Sequence, residues 1–340
     1  MIFVTGGTGM IGAHLLYDLV SKGEKVRALK RPGSSLKRIE KIFSFYNSEY
    51  RLILDKIEWV EGDILDKEGL RPLLAEVDQI YHLAAIISFD PRERDEIIHN
   101  NTLGTANLVD LALSLGISKF CHVSSIAAIG TPPEGIEASE DHAWRNTREH
   151  SAYTESKYLS EMEVWAAILQ GLNAVIINPS VVLGPGDWKS GSSVLFPKIW
   201  SGLKFYTKGG TGFVDVRDVT TAMQLLMSEN SWETVKNQRF ILNAENVLFR
   251  DILDAMAKYL KVKPPKYLAG RMLLGIARRG SSLKRLLTGT PPSITRDTAR
   301  SATALSYYDG SKISRTIGFE YTPIDVSIGM ISRIFLKEKA

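Results

Sequence analysis

The sequence predicts an α/β fold: a doubly wound parallel sheet with a smaller C-terminal part. Three observations predict it. Short runs rich in β-branched and aromatic residues alternate with longer runs of helical periodicity, the pattern of a parallel sheet covered by helices. The first of these runs leads directly into a glycine-rich turn that opens an amphipathic helix. Past Gly184-Pro185-Gly186 the alternation gives way to Gly, Ser and aromatic residues.

Taken in order, strands are predicted over 2–5, 25–30, 57–61, 79–83, 119–124 and 174–177, with helices over 10–21, 67–76, 95–115 and 152–170 between them. One further strand is predicted over 239–243. There is no internal repeat, low-complexity tract or flexible linker, so the two parts should share an interface.

The chain has 340 residues, 44% of them apolar and 24% charged, the composition of a soluble globular protein. No run of 18 apolar residues occurs, and the opening residues lack the regions of a signal peptide, so a cytoplasmic location is expected. The single cysteine, Cys121, can form neither an internal disulfide nor a cysteine metal site, and its apolar surroundings suggest a buried, inert thiol. No metal site is expected. A net charge of +4 over this length argues against nucleic acid as a partner. The charge is uneven, however: residues 258–300 hold eleven Lys or Arg and one acid, Asp297. Within them, residues 268–287 combine apolar periodicity with cations, as a membrane-surface helix would. Gly270, Gly275 and Gly280 interrupt that pattern, which favours an ordinary helix with its charges in water.

The glycine turn reads Thr5-Gly6-Gly7-Thr8-Gly9-Met10-Ile11-Gly12. Gly7, Gly9 and Gly12 fit one dinucleotide-binding spacing, and Gly6, Gly9 and Gly12 fit its seven-residue variant. Glycine permits a tight turn and close backbone approach to a pyrophosphate, while the free amides of the helix start, at Met10 and Ile11, attract the anion. A cofactor with a free ribose 2′-hydroxyl usually meets an acid at the end of the second strand. Here that strand ends in Lys30-Arg31. A guanidinium can grip a 2′-phosphate through paired hydrogen bonds, so NADP(H) is preferred, with NAD(H) the other possibility.

Tyr153 and Lys157 lie four residues apart near a helix start, hence on one face. An adjacent cation stabilises phenolate and lowers the tyrosine pKa, making it a usable acid or base. Ser124 and Ser125, at the end of the fifth strand, can present a hydroxyl to the same substrate oxygen.

Together with Gly62-Asp63-Ile64, His82-Leu83-Ala84-Ala85, Asn101-Thr-Leu-Gly-Thr105 and Asn178-Pro179-Ser180-Val181-Val182-Leu183-Gly184-Pro185, these motifs resemble the extended short-chain dehydrogenase/reductase family, the NAD(P)-dependent epimerase/dehydratase group, over nearly the whole length. The resemblance implies a Rossmann sheet in which Asp63 contacts the adenine amine, with Ile64 beside the ring. Leu83, Ala84 and Ala85 would line the path of ribose and nicotinamide, Lys157 would bind the ribose hydroxyls, and Pro179 and Val182 would meet the carboxamide. Asn101 is either a ligand or a support of its own helix. Counting back from Gly130 puts the family's catalytic hydroxyl on Ser125, with Ser124 as the fallback.

Residues 1–184 plus 213–245 are assigned to the dinucleotide-binding domain, and 185–212 plus 246–340 to the substrate-binding part. Dehydratases of this group need an acid and a base where this chain has Ile126 and Ala127. Sugar-nucleotide epimerases carry an Asn where it has Val181. The resemblance is nearest to the dihydroflavonol-reductase and 3β-hydroxysteroid-dehydrogenase branch, whose members act on apolar ketones, aldehydes or alcohols. The expected function is an NADP(H)-dependent oxidoreductase acting on a small carbonyl or alcohol, with Ser125, Tyr153 and Lys157 catalytic. A nucleotide-sugar epimerase and a non-catalytic dinucleotide sensor are the alternatives. A homodimer is expected through the two long helices, whose Leu103, Leu108, Leu111, Leu159, Met162 and Trp165 exceed what one sheet-facing stripe requires.

Overall fold

The computed structural model describes residues 1–88, 90–133, 135–144, 150–270 and 295–339. Most of the segment 268–287, and with it the reading of a surface helix there, lies outside the described residues.

Seven strands form the main sheet: β1 Ile2–Thr5, β2 Val26–Lys30, β3 Glu58–Glu61, β4 Gln79–His82, β5 Lys119–Val123, β6 Ala174–Pro179 and β7 Gln238–Leu242. All pair in parallel, in the order β7-β6-β5-β4-β1-β2-β3. The order reverses between β1 and β4, and the C-terminal ends of strands on both sides of that switch point frame the crevice where such sheets take ligands. β1, β4, β5 and β6 are buried almost throughout because helices cover both faces of the sheet. One apolar core, around Leu16, Val123 and Phe240, lies on one side of the sheet, and another, around Phe3, Leu108 and Phe120, on the other.

Helix Met10–Ser21 starts and stops where the sequence predicts. Besides the four helices predicted from the sequence, the fold has Lys37–Tyr46 and Tyr50–Leu54 and, past residue 170, further helices that include Val216–Leu226, Phe249–Leu260 and Ile324–Lys339. Helix Lys37–Tyr46 buries Ile39, Ile42 and Phe43, an i, i+3, i+4 stripe. It closes over helix Met10–Ser21 through the stacked rings of Tyr17 and Tyr46, 4.3 Å apart.

The second sheet gathers Glu137–Ala138, Val181–Leu183, Gly210–Asp215, Glu245–Leu248 and Leu305–Tyr308. Strand Gly210–Asp215 pairs with Leu183 at its end and with Glu245–Leu248 near its start, running unbroken across residues 212 and 213. A third core around Trp188, Phe196, Met256, Ile328 and Phe335 belongs to this side. Arg38 donates to Asp187 at 2.7 Å, tying helix Lys37–Tyr46 to the loop after Gly184.

The two long helices, Arg94–Leu115 and Ala152–Leu169, pack against each other on one face of the sheet. Leu108 and Leu111 are fully buried in the core there, so neither is available to a partner subunit, which corrects that part of the expected dimer face. Leu103, Leu115 and Leu169 remain exposed, Leu169 by 90%. Among the described residues no helix is long and apolar enough to cross a membrane, and no cluster of His, Cys, Asp and Glu could hold a metal ion. Cys121 is buried, and burial pushes its thiol well above the ordinary value.

Candidate active site

The glycine turn is held by its own backbone. The Gly9 amide donates to the Gly6 carbonyl at 3.0 Å, and Gly9 is the N-cap of helix Met10–Ser21 with no side chain capping it. The first amides of that helix, at Met10, Ile11 and Gly12, therefore face outward, and the helix dipole adds positive potential there. Gly6 has φ +72°, and a Cβ on it would sit 2.6 Å from the backbone of Leu83 and Ala84. A Cβ on Gly12 would overlap the Gly6 carbonyl oxygen. At Gly7 the nearest obstacle is a flexible side chain, Leu16, and a Cβ on Gly9 would only press on the Gly6 carbonyl oxygen at 3.2 Å, so backbone packing is strictest at Gly6 and Gly12. Such a cradle fits a pyrophosphate.

At the end of β2, the Lys30 ammonium is ion-paired with Glu61, its direct partner on β3. Arg31 is exposed and has no ion pair among the described residues. The two cations expected to act together thus have different positions: one is engaged and one is available. Asp63 is exposed beyond β3, its carboxylate accepting from the Leu65 amide at 3.0 Å. Ile64 packs so tightly on Gly104 that a Cβ at 104 would overlap its side chain.

His82 is buried at the end of β4. Thr105 spends its hydroxyl proton on the Asn101 carbonyl, so it accepts from His82 Nε2 at 3.0 Å, and Thr5 donates to Nδ1 at 2.7 Å. Burial lowers the ring's pKa to about 3, keeping it neutral. It is a strut of the site, and Ala84, whose amide donates to Thr5 at 3.3 Å, follows from it. The two readings of Asn101 are separated by its bonds. It accepts from the Ile86 amide at 2.7 Å and donates to the Ile86 carbonyl and Ser156, each at 3.0 Å. With both ends of its amide engaged, it supports the loop after Ala85 against helix Ala152–Leu169.

Helix Ala152–Leu169 begins at Ser151, which accepts from the Thr154 amide at 3.1 Å. Its first turns place Tyr153, Lys157 and Glu161 on one side. Tyr153 and Ser125 are hydrogen-bonded to each other, and Ser125 also accepts from the Ala127 amide at 3.1 Å. Ser124 instead donates to Glu161 at 2.7 Å inside the protein. The two adjacent serines therefore point to different places, and only Ser125 meets the phenol. Lys157 donates to the Val123 carbonyl at 2.9 Å. Burial lowers its pKa to about 8, with Glu161 opposing the shift. Burial likewise raises the Tyr153 phenol, and the Ser125 hydrogen bond works against that. This departs from the expectation of a depressed phenol: burial dominates, and the Lys157 ammonium directs a proton at the Val123 carbonyl.

Pro179 is buried at the end of β6, and Val182 pairs with Val214 while its carbonyl accepts from Ser192. Glu161 and Arg239 went unnoticed in the sequence, because their partnership is 78 residues long and depends on β7 lying next to β6. A cleft of about 540 Å³ opens beside another face of helix Ala152–Leu169, lined by Trp144, Tyr158, Met162, Trp165, Arg239 and Lys312 among others. None of Ser125, Tyr153 and Lys157 lines it.

Comparison with known proteins agrees with this geometry. A family model described as the NAD dependent epimerase/dehydratase family matches residues 2–239. A Synechocystis protein named "Putative dihydroflavonol 4-reductase" is 30% identical over 325 residues, covering 95% of this chain and 90% of that protein. A 3-beta-hydroxysteroid dehydrogenase of Mycolicibacterium neoaurum is 28% identical over 206 residues, 58% of this chain and 50% of that one. The crystal structure of gox2253 superimposes with a TM-score of 0.79 at 26% identity, covering 99% and 98% of the two chains.

Proposed function

The chain belongs to the NAD dependent epimerase/dehydratase family, and from that premise we propose that it is an NADP(H)-dependent oxidoreductase interconverting a ketone or aldehyde and an alcohol. The observation that carries this reading is the direct hydrogen bond between Ser125 and Tyr153 beside a buried Lys157, followed by Ile126 and Ala127, which cannot move a second proton.

The amides at Gly9, Met10, Ile11 and Gly12 would hold the cofactor's pyrophosphate, Arg31 its 2′-phosphate and Asp63 with Ile64 its adenine. Leu83, Ala84, Ala85, Pro179 and Val182 would border the nicotinamide end, with Lys157 on the ribose hydroxyls. When bound, the dinucleotide supplies or accepts the hydride. Ser125 holds the substrate oxygen by hydrogen bond, and Tyr153 gives that oxygen its proton. A phenol raised by burial stays protonated at neutral pH, so Tyr153 is suited to act as an acid, the role required for reduction. Residues 185–212 plus 246–340 would close over the substrate. The similarity to reductases and steroid dehydrogenases supports an apolar carbonyl as substrate class.

The test is a screen of ketones and aldehydes that follows NADPH absorbance, with Tyr153→Phe as control. Carbonyl-dependent oxidation that the substitution abolishes is the expected result. Turnover of a UDP-sugar without net cofactor oxidation would establish the epimerase instead, and cofactor binding without any turnover would favour the sensor. The exposed Leu103, Leu115 and Leu169 support assembly through the two long helices, so light scattering should return twice the 37.8 kDa of one chain. The single-chain mass would remove the dimer.

A further inference from the structure

Behind the catalytic groups lies a buried carboxylate that the proposed reaction does not use. Glu161 is fully buried, one helical turn beyond Lys157. Four donors from four different places converge on it. Ser124 and Asn178 donate to Oε2 at 2.7 and 2.8 Å, and Trp165 and Arg239 donate to Oε1 at 3.3 and 2.9 Å. The same Asn178 amide donates to the Ser125 carbonyl at 3.0 Å, so the carboxylate is linked to the backbone that presents the Ser125 hydroxyl. Arg239 is itself fixed, its Nε donating to the Glu140 carbonyl at 2.7 Å.

A purely structural buried pair would be a weak device, since well-packed apolar residues often serve stability as well or better. The placement suggests a different use. We propose that Glu161, clamped by Arg239, is a positioning residue of the active site: it fixes the Ser124-Ser125 backbone and supplies the counter-charge for the Lys157 ammonium. This rests on the proposed function for the role of Lys157 but not for the coupling between the two side chains. Around Lys157 the other groups leave the task to Glu161. Tyr153 on the same helix is a neutral phenol, and His82 on β4 and His122 on β5 are held neutral by burial. Helix Arg94–Leu115 offers the uncharged Asn101 and Thr105 near this face, and Arg239 on β7 is paired with Glu161.

Without the carboxylate, the ammonium should lose its proton at lower pH. Wild type and Glu161→Gln are compared by NADPH fluorescence titration from about pH 6 to about pH 10, spanning the Lys157 value of about 8. Wild-type affinity should decline above that value. In E161Q the decline should begin about one pH unit lower, giving roughly fivefold weaker binding near pH 8, approaching about tenfold above pH 9, and nearly equal binding near pH 6. Equal weakening at every pH, or no displacement, would overturn the proposal. If E161Q does not fold, Glu161→Gln with Arg239→Gln removes both charges and leaves neither buried alone, and the same displacement is expected.

Melting of the cofactor-free protein supplies an independent readout. A lysine whose folded pKa lies below its unfolded value of about 10.4 makes stability rise with pH between the two, because the unfolded chain then binds more protons. That rise should begin lower in E161Q. If NADPH binds neither protein, the functional reading fails while melting still decides the coupling; unchanged melting onset would overturn the coupling itself.

Discussion

The two ends of the crevice are built by different physics. At the glycine turn the work is done by main chain: Gly6, Gly9 and Gly12 lie within seven residues, and their contacts are backbone atoms of the same turn or of its neighbour β4. At the tyrosine end it is done by side chains drawn from the end of β5, from β6, β7 and helix Ala152–Leu169, joined by hydrogen bonds that span up to 78 residues. A local turn tolerates change elsewhere in the chain but no added atom at Gly6 or Gly12. A convergent cluster tolerates small changes of shape but depends on the chemistry of each member.

The sharpest break between the two ends should come from Tyr153→Phe, which removes one hydroxyl and keeps the ring. Proton transfer by a positioned side chain contributes about 10² to 10⁴ in rate, so turnover should fall by that factor while the NADPH dissociation constant changes little. Ser125→Ala should follow with a loss of roughly 10² to 10³, the worth of one donor on the reacting oxygen. Ser124→Ala is its control. It leaves Glu161 with three donors, Asn178 and its link to the Ser125 carbonyl among them, so it should lower the melting temperature and reduce kcat far less than Ser125→Ala does. If the two serine variants lose turnover equally, the assignment of the hydroxyl to Ser125 is lost.

The opposite end should answer with affinity and not with rate. Gly12→Ala forces a Cβ into the Gly6 carbonyl, a strain that typically costs about 1 to 3 kcal/mol and requires the turn to shift. NADPH affinity should fall roughly ten- to a hundredfold, whereas turnover at saturating cofactor should be largely kept. Isothermal titration beside saturation kinetics separates the two outcomes, and a drop confined to kcat would show that the turn does more than hold the anion.

Legibility in the sequence follows the same division. The main sheet could be read because its strands are short runs rich in β-branched and aromatic residues set between helical periods, and its first turn spells its own geometry in glycine. Helix Lys37–Tyr46 is harder to read: its stripe of Ile39, Ile42 and Phe43 is short, it is interleaved with Lys and Arg, and its N-cap Leu36 supplies no capping side chain. The second sheet could not be read: Glu137–Ala138 is two residues long and pairs with Tyr307 and Tyr308, about 170 positions away, so no local period announces it. Tyr153 and Lys157 were legible as a helical pair. Glu161 sat four residues further on the same face, and only the fold reveals that Arg239 answers it.

The smallest effects sharpen the comparison within one end. Lys30 and Arg31 are adjacent in sequence and were read together as a grip on the 2′-phosphate, yet only one of them is available. An exposed ion pair such as Lys30–Glu61 contributes about 0 to 1 kcal/mol, and Lys30 must release Glu61 before it can serve a phosphate. Arg31 has no such commitment among the described residues, and a charge-assisted bond to phosphate contributes roughly 1.5 to 3 kcal/mol. Arg31→Ala should therefore weaken NADPH at least about tenfold and leave NADH nearly unchanged. Lys30→Ala should weaken NADPH by less than about fivefold, since the Glu61 it frees can add only modest repulsion across solvent. Titrating both cofactors into both variants decides the matter: equal loss of NADPH and NADH in Arg31→Ala would place the 2′-phosphate elsewhere, and a Lys30 effect as large as that of Arg31 would mean that the ion pair opens when the cofactor arrives.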